Sequence, residues 1–493
     1  EHFDHKAHLT AEHLYISTSI EYPQMLNEDA YERFDDFCKV SKEHHMDAVS
    51  LRTLWGELEP LPGVYRWDLV QKQLDIAKEH DLEAYFGFHS YILATLHYPL
   101  WLDCDPMIDQ WGNMYEKGYM NNSIWDDESQ EKFFDFNEHL VREFNNSEQL
   151  VGYKLGLLSL SGQPFVSAGD YIRLDYSPSA QEAFKAWLEE TGRAQTELSP
   201  MFTLPGIPVN ELGPDLSDEW QNYNYFAIET LQHHAEGLIN SYRKYDPERM
   251  IHYYRRSRSY CPEVLLPLLT DNGAFQDESG PMFRQLLMKS MADQGGVPML
   301  GEMHPLWPST KSVYDAQSFL SAYGGNYFDW NIRYRVDQLK EVPYASFPMV
   351  PKSFAKHYRK TKNKGLPEVW TYIQETFGNY QQYMTSSAVQ PEILVVGSRI
   401  DGLLGGMYGK KGFFSDSSGL DVFLALTLLH HIPVHYANEY CDWVDFNAFK
   451  GVIVVGEIFP SKLVDKLDAF AQNGGKVALI GNAGSILLED PES

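Results

Sequence analysis

Residues 51–89 decide the fold of this chain, and they read LRTLWGELEPLPGVYRWDLVQKQLDIAKEHDLEAYFGFH. They begin inside an apolar segment, 48–54, which is typical of a buried strand. A polar loop follows, and apolar residues then recur at helical spacing over 69–77, with Asp68 predicted as the N-cap. A second apolar strand is predicted over 83–88. Strand, helix and strand with short connections predict a βαβ unit in a parallel sheet.

The same alternation of apolar strands and helical segments recurs along the chain. Six further strands are predicted at 14–21, 150–158, 250–254, 268–274, 297–303 and 325–330. Eight strands separated by helices predict a (β/α)8 TIM barrel, which we assign to residues 1–384. In such a barrel the active site lies at the C-terminal ends of the strands.

A composition change near residue 385 predicts a second domain, in line with a length that exceeds what one hydrophobic core usually supports. Continuous apolar strands are predicted at 392–398, 450–457 and 476–481, with helical patterns at 417–431 and 460–473. This order predicts a flavodoxin-like, doubly wound α/β domain over 385–493. It has no Gly-x-Gly-x-x-Gly after a strand and no Walker loop, so we interpret it as structural.

The charge of the chain excludes several classes of function. The 69 Asp and Glu residues outnumber the 40 Lys and Arg residues, which gives a formal charge of −29. This balance argues against binding to nucleic acids or anionic membranes, which need positive patches. No apolar run reaches the roughly 18 residues of a membrane span. The chain starts at Glu1 rather than Met, so we expect a mature, secreted or periplasmic form.

Neither a metal nor another cofactor is expected from the sequence. The cysteines are far apart and contain no Cys-x-x-Cys pair, so free thiols are expected and a zinc site is not. These cysteines are Cys38, Cys104, Cys261 and Cys441. The spacing of Asp103, Asp105 and Asp109 does not match a calcium loop with its Gly and terminal Glu.

The loop from Trp55 to Asp68 carries a family resemblance. Its pattern, Trp-x-x-x-Glu-Pro-x-x-Gly-x-Tyr-x-Trp-Asp, resembles the second βα unit of the retaining clan A glycoside hydrolases. Among these it is most similar to the family 42 β-galactosidases and their relatives. The resemblance implies an oligo- or polysaccharide substrate, two catalytic carboxyl groups at the ends of the fourth and seventh strands, and a flavodoxin-like domain that mediates trimer formation.

The two catalytic positions implied by the resemblance differ in how well this sequence fills them. Retention needs two carboxyl groups about 5 to 5.5 Å apart. Glu302 follows apolar strand residues and is the candidate nucleophile. After the fourth strand there is no acid from Gly152 to Ala168. Ser161-Gly162-Gln163-Pro164 resembles the Gly-Glu end of this strand in more distant barrel glycosidases, so Gln163 occupies the acid/base position as the amide of the expected Glu.

Three interpretations of Gln163 remain open. In the first, Gln163 is an engineered change that removes the proton donor. In the second, it is natural, and another residue such as Asp170 or Glu57 supplies the acid. In the third, the chain is a non-catalytic oligosaccharide-binding barrel. Because Gln cannot protonate a leaving group as a carboxylic acid does, the chain as written should be severely impaired.

Candidate substrate-binding residues share a predicted location at the C-terminal face of the barrel. They are Arg52, Trp55, His89, Trp101, Asn272, His304, Trp307 and Trp330. In the families that this chain resembles, a Trp at the end of the eighth strand, here Trp330, forms a platform beneath the sugar.

A basic run follows the predicted strand 250–254 in this acidic chain. It consists of Arg255, Arg256 and Arg258. Arg binds sulfate or carboxylate through paired N–H donors, and a salt-bridged rim is the alternative. The family resemblance implies cleavage of β-galactosidic linkages, and the basic run makes a sulfated marine galactan such as carrageenan a candidate substrate. A β-mannosidase or β-glucanase on the same scaffold remains the alternative.

Overall fold

The structure is a computed structural model. It describes residues 15–20, 28–43, 46–52, 55–87, 99, 101–106, 108, 123–156, 175–198, 217–256, 262–278, 282–303, 327–332, 391–404 and 418–489. Within these ranges the chain forms a closed barrel and a smaller open sheet. No described helix is long and apolar enough to cross a membrane.

Eight parallel strands close the barrel. They are β1 (Tyr15–Ile20), β2 (Ala48–Arg52), β3 (Glu83–Gly87), β4 (Leu150–Gly156), β5 (Met250–Arg256), β6 (Gly273–Glu278), β7 (Met299–Met303) and β8 (Tyr327–Ile332). Each strand pairs with the next in the chain, and β8 pairs with β1. The predicted TIM barrel is therefore confirmed.

Helices alternate with the strands, as a parallel barrel requires. In the barrel they are α1 (Glu28–Glu43), α2 (Trp55–Leu58), α3 (Trp67–Glu79), α4 (Asp127–Phe144), α5 (Pro178–Thr191), α6 (Asp218–Arg243) and α7 (Met282–Gln294). Asp126 caps α4 by accepting from the Ser129 N–H. The predicted N-cap Asp68 is wrong, because α3 begins at Trp67 and the Asp68 carboxylate pairs with the Arg66 guanidinium instead.

The predicted strand 268–274 is also wrong. An apolar 3-10 helix runs over Pro262–Leu269 and contains Pro267, which has no N–H for a strand ladder. The strand begins only at Gly273, where a Cβ atom would lie 2.6 Å from the Leu269 carbonyl oxygen. This close approach of two backbone segments explains why a glycine opens β6.

The second unit has the strand order of a flavodoxin-like fold. Its parallel sheet has the order β10-β9-β11-β13, from β9 (Ile393–Val396), β10 (Val434–Ala437), β11 (Gly451–Val455) and β13 (Lys476–Ile480). The short strands β12 (Ile458–Phe459) and β14 (Ile486–Leu487) pair beside it, and its helices are α8 (Arg399–Leu404), α9 (Leu420–Leu424) and α10 (Ser461–Gln472). Strand β10 was not predicted from the sequence. The boundary predicted at 384/385 lies outside the described residues.

Polar contacts join the barrel to this second sheet. The Ser290 hydroxyl on α7 accepts from the Tyr436 N–H at 2.8 Å, and the Gln294 amide donates to the Tyr436 carbonyl at 2.8 Å. The Trp443 indole donates to the Met291 carbonyl at 3.2 Å. Helix α7, which leads into β7, is therefore hydrogen-bonded to the second unit at three of its residues.

Candidate active site

Three acidic residues occupy neighbouring register positions on three adjacent strands, β6, β7 and β8. Glu302 is the penultimate residue of β7, and its register partners are Glu278 at the end of β6 and Asp329 on β8. The predicted location of Glu302 near the mouth end of the seventh strand agrees with this register. Glu278 and Asp329 were not among the predicted site residues, although Asp329 lies in a short strand where a carboxylate interrupts apolar residues.

Arginines end two other strands of the barrel. Arg52 is the last residue of β2, as predicted. Arg255 and Arg256 are the last two residues of β5 rather than part of the following loop, because β5 continues two residues beyond the predicted end at 254. Arg256 is the register partner of Glu278. The strand ends thus place cationic and anionic residues side by side.

Several predicted site residues lie outside the described residues. These are Gln163, His89, Arg258, His304 and Trp307. Trp330 is described within β8, but β8 continues to Ile332, so Trp330 is the fourth of six strand residues and not the last. The predicted placement of Trp330 at the end of the eighth strand is therefore wrong.

Trp55 is a core residue and not a substrate contact. Its side chain is fully buried, at 0% exposure, and its ring packs on Phe133 and Phe136 with centroids 5.4 and 5.7 Å away. Its indole N–H donates to the Glu59 carboxylate at 2.6 Å. The sequence prediction was wrong because a Trp just beyond a strand end is equally suited to fill the space between the loop and the helical layer.

Glu59 organises the loop that carries the family resemblance. Besides the Trp55 indole, its carboxylate accepts from the Gly63 N–H at 2.8 Å. Gly63 has φ of 71°, a conformation that favours glycine. The Trp101 indole donates to the Glu59 carbonyl at 2.9 Å, and the half-buried Trp101 ring meets Trp55 edge-on. Trp101 therefore anchors the loop after β3 to the loop after β2.

Asn272 lies at the wrong end of the barrel for substrate binding. It belongs to the turn that precedes β6, with φ of 53°, and its carbonyl accepts from Ile251 and from the Arg243 guanidinium. The active-site face of a TIM barrel is at the C-terminal ends of the strands. The error follows from the mispredicted strand 268–274.

The lumen of the barrel contains buried polar residues that the sequence analysis missed. Lys154 on β4 and His252 on β5 are 3% and 0% exposed, and Ser50 on β2 is 2% exposed. The His252 ring packs on Tyr85 with centroids 4.7 Å apart. Alternation in β4 and β5, where Lys154 and His252 stand between outward-facing apolar residues, was the available signal.

Before α5, the buried carboxylate of Asp175 connects the chain to the loop after β3. The Asp175 carboxylate accepts from the Ile108 N–H at 3.0 Å and from the Ser177 N–H at 2.9 Å. Burial raises the pKa of Asp175, and these hydrogen bonds partly oppose the rise. Ser179 donates to Asp105 in the loop after β3 at 2.5 Å. These contacts hold residues 175–179, which lead into α5, against the described residues of the loop after β3.

Carboxylate and guanidinium residue types occupy positions on the adjoining strands β5 to β8. Carboxylates and guanidinium groups on adjoining strand ends can bind polar substrates and supply a nucleophile. Among the described residues, no group of three or more His, Cys, Asp and Glu side chains is arranged to hold a metal ion.

Solved structures share this fold, whereas no protein-family model and no curated protein sequence matches the chain. A β-galactosidase from the psychrophilic Marinomonas ef1 aligns with a TM-score of 0.68 and 11% identity over 96% of this chain and 76% of that chain. A β-galactosidase from Rahnella sp. R3 aligns with a TM-score of 0.67 and 14% identity, over 98% of this chain and 73% of that chain. A GH42 β-galactosidase from G. stearothermophilus aligns with a TM-score of 0.66 and 13% identity, over 97% of this chain and 73% of that chain. At these identities the likeness concerns the fold, and it confirms the fold that the family 42 resemblance implied.

Proposed function

We propose that this chain has the catalytic architecture of a retaining glycoside hydrolase that acts on β-galactosidic linkages. The observation that carries the proposal is Glu302 near the end of β7, adjacent in register to Glu278 and Asp329, in a closed barrel. Because one barrel fold supports many activities, the strand-end carboxylates support the proposal more directly than the fold does.

In the proposed reaction Glu302 attacks the anomeric carbon and forms a covalent glycosyl-enzyme. The group at position 163, as Glu, would protonate the leaving oxygen and then activate the water that hydrolyses the intermediate. With Gln at this position the first step lacks its acid, so substrates with poor leaving groups should react very slowly. Substrates with good leaving groups need no such acid.

For the substrate we propose a sulfated galactan, such as carrageenan. Arg255 and Arg256 at the end of β5 support this choice, because guanidinium groups bind sulfate through paired N–H donors. The neighbouring Glu278 supports the alternative of a salt-bridged rim. Loss of affinity for sulfated oligosaccharides alone, after Arg256→Ala, would favour the sulfated galactan.

The flavodoxin-like unit is proposed to mediate a homotrimer of a secreted or periplasmic protein. Light scattering on the purified chain measures the mass directly, and three times the 56.7 kDa of one chain is expected.

A non-catalytic oligosaccharide-binding barrel is the second candidate function. It is favoured by the absence of any acidic residue from Gly152 to Ala168 in the sequence. Such a protein would bind oligosaccharides and would remain inactive when position 163 carries a carboxylate.

Restoring the acid separates the two functions. Gln163→Glu should raise turnover of aryl β-galactosides with poor leaving groups by about 10² to 10⁴-fold. The matched control is Gln472→Glu, the same change at an exposed position on α10, which should leave turnover unaltered. Parallel assays on β-mannosides and β-glucosides identify the sugar. Equal turnover in the parent chain and Gln163→Glu would contradict the acid/base assignment.

A further inference from the structure

Arg193, just after α5, is a cation that packs on two aromatic rings. Its guanidinium carbon lies 4.2 Å from the centroid of the Tyr225 ring and 5.5 Å from that of the Trp187 ring. All three residues are half-buried. A cation–π contact uses the charge of a guanidinium but none of its N–H donors, so these donors remain available for another partner.

The backbone around Arg193 is held by hydrogen bonds on both sides. Gly192 ends α5 with φ of 65°, and the Arg193 N–H donates to the Leu188 carbonyl at 3.2 Å. On the other side, the Asn222 amide of α6 donates to the Ala194 carbonyl at 2.9 Å. The guanidinium is therefore positioned over the rings before any ligand arrives, which lowers the cost of ordering it on binding.

The Arg193 guanidinium has no carboxylate partner within the described part of the chain, although three exposed glutamates lie within four residues of it in sequence. These are Glu189, Glu190 and Glu197. The indole N–H of Trp187 likewise has no acceptor among the described residues. Because Arg binds carboxylate and sulfate through paired N–H donors, this arrangement is suited to an oxyanion that comes from outside the chain.

Helix α6 places this cluster at about the height of the barrel mouth. Arg243, at the C-terminal end of α6, donates to the carbonyl groups of Arg249 and Asn272, which precede β5 and β6. Tyr225 lies 18 residues earlier, about 27 Å along the helix. The seven residues of β5 span about 23 Å. Tyr225, and Arg193 with it, therefore lies near the level of the C-terminal strand ends, where the active site of a TIM barrel is found.

We propose that Arg193, Trp187 and Tyr225 form a distal subsite that binds an oxyanion substituent of a saccharide chain, a sulfate ester or a uronate carboxylate. The proposal rests on the proposed function, which makes the ligand a saccharide, and it extends the substrate contacts to the outer wall of the mouth. The guanidinium supplies the paired donors, and the two rings hold it in place.

Calorimetric titration of the parent chain tests the subsite with three probes: κ-carrageenan hexasaccharide, its desulfated form and hexagalacturonate. Arg193→Met keeps an apolar side chain over the rings but removes the donors and the charge. It should weaken binding of the anionic hexasaccharide that the parent chain prefers by about tenfold, because a charge-assisted hydrogen bond is lost. Binding of the desulfated form should not change. The preferred probe identifies the oxyanion, and Arg193→Gln replaces the Met variant if that variant does not fold.

Arg142→Met is the matched control. The Arg142 guanidinium also lies over a tyrosine ring, 4.5 Å from the centroid of Tyr245, but it donates to the hydroxyl of the same residue at 2.7 Å. It belongs to the last turn of α4, far from the mouth. All three dissociation constants should remain as in the parent chain. Equal affinity of Arg193→Met and the parent chain for the anionic probes, or an equal loss for the desulfated form, would overturn the subsite.

Covalent labelling of the parent chain with 2,4-dinitrophenyl 2-deoxy-2-fluoro-β-D-galactoside separates the subsite from the proposed function. A parent chain that is labelled but binds neither anionic probe overturns the subsite alone. A parent chain that is not labelled and binds none of the three oligosaccharides overturns the proposed function and the subsite with it. Binding that depends on Arg193 without labelling supports the subsite in a non-catalytic oligosaccharide-binding barrel.

Discussion

Glu439 shows how a single, partly buried carboxyl group responds to its surroundings. It accepts from the backbone N–H groups of Arg399 and Ile400 at 2.8 and 2.6 Å. Burial raises its pKa from the ordinary 4.5 to about 7, and the charge of Glu263 contributes to the rise, while the hydrogen bonds oppose it. Glu439 therefore binds its proton more tightly in the folded chain than in the unfolded chain.

This difference predicts a pH dependence of stability. A group whose pKa is raised on folding stabilises the native state fully below its unfolded pKa, and this contribution is lost as the pH rises through about 7. Urea unfolding of the parent chain and of Glu439→Ala should be compared at pH 5, 6 and 7. The variant loses an acceptor for two N–H groups, but its free energy of unfolding should fall less steeply with pH. Parallel slopes would contradict the prediction.

At the scale of elements, the loop between β2 and α3 depends on one carboxylate. Glu59 joins the Trp55 indole, the Gly63 N–H and, through its carbonyl, Trp101. Beyond the turn, Tyr65 and Trp67 stack with centroids 4.7 Å apart. Within the described contacts, the residues of the sequence pattern that carries the family resemblance therefore determine the shape of a loop at the barrel mouth.

Removal of the Glu59 carboxylate should destabilise this element. Glu59→Ala leaves the buried indole N–H of Trp55 without its acceptor, and hydrogen bonds to charged groups contribute about 1.5 to 3 kcal/mol. Urea unfolding measures the loss. Glu79→Ala, an exposed change at the end of α3, is the control and should have little effect. A Glu59 variant as stable as the Glu79 variant would contradict this account of the loop.

The local pattern of apolar residues was sufficient to predict those elements whose structure is determined by residues close together in sequence. The βαβ unit from β2 to β3 was predictable because its apolar periods and its turn lie within one short stretch. The prediction at 268–274 was wrong because the apolar run before Gly273 forms a 3-10 helix, and Pro267 in that run was the local signal against a strand. Alternation within β4 and β5 could have indicated that Lys154 and His252 face inward, but the neighbours they meet in the lumen come from strands far apart in sequence.

At the scale of the whole molecule, a buried ion pair connects the barrel to the flavodoxin-like unit. The Arg399 guanidinium donates to both oxygens of the fully buried Glu263 carboxylate, at 2.7 and 2.8 Å. The Asn438 amide donates to the same carboxylate at 2.8 Å. The two units therefore share a desolvated charge pair in addition to the contacts of α7.

Breaking this pair should destabilise both units together. Glu263→Ala leaves the Arg399 charge buried without its partner, which typically costs about 3 to 5 kcal/mol. Chemical unfolding measures this loss, and hydrogen exchange of peptides from β5 and β11 shows whether both units weaken. Lys450→Ala, which removes an exposed ion pair with Glu392, is the control and should change little. A loss confined to β11 would contradict coupling between the units.

The central claim is that Glu302 is the nucleophile of a retaining glycosidase, and covalent trapping tests it most directly. The parent chain is incubated with 2,4-dinitrophenyl 2-deoxy-2-fluoro-β-D-galactoside, digested with protease and mapped by tandem mass spectrometry. The account predicts one fluorosugar per chain, attached to Glu302, and no adduct in a folded Glu302→Gln variant. Attachment to Glu278 or Asp329 instead, or no adduct in the parent chain, would contradict it.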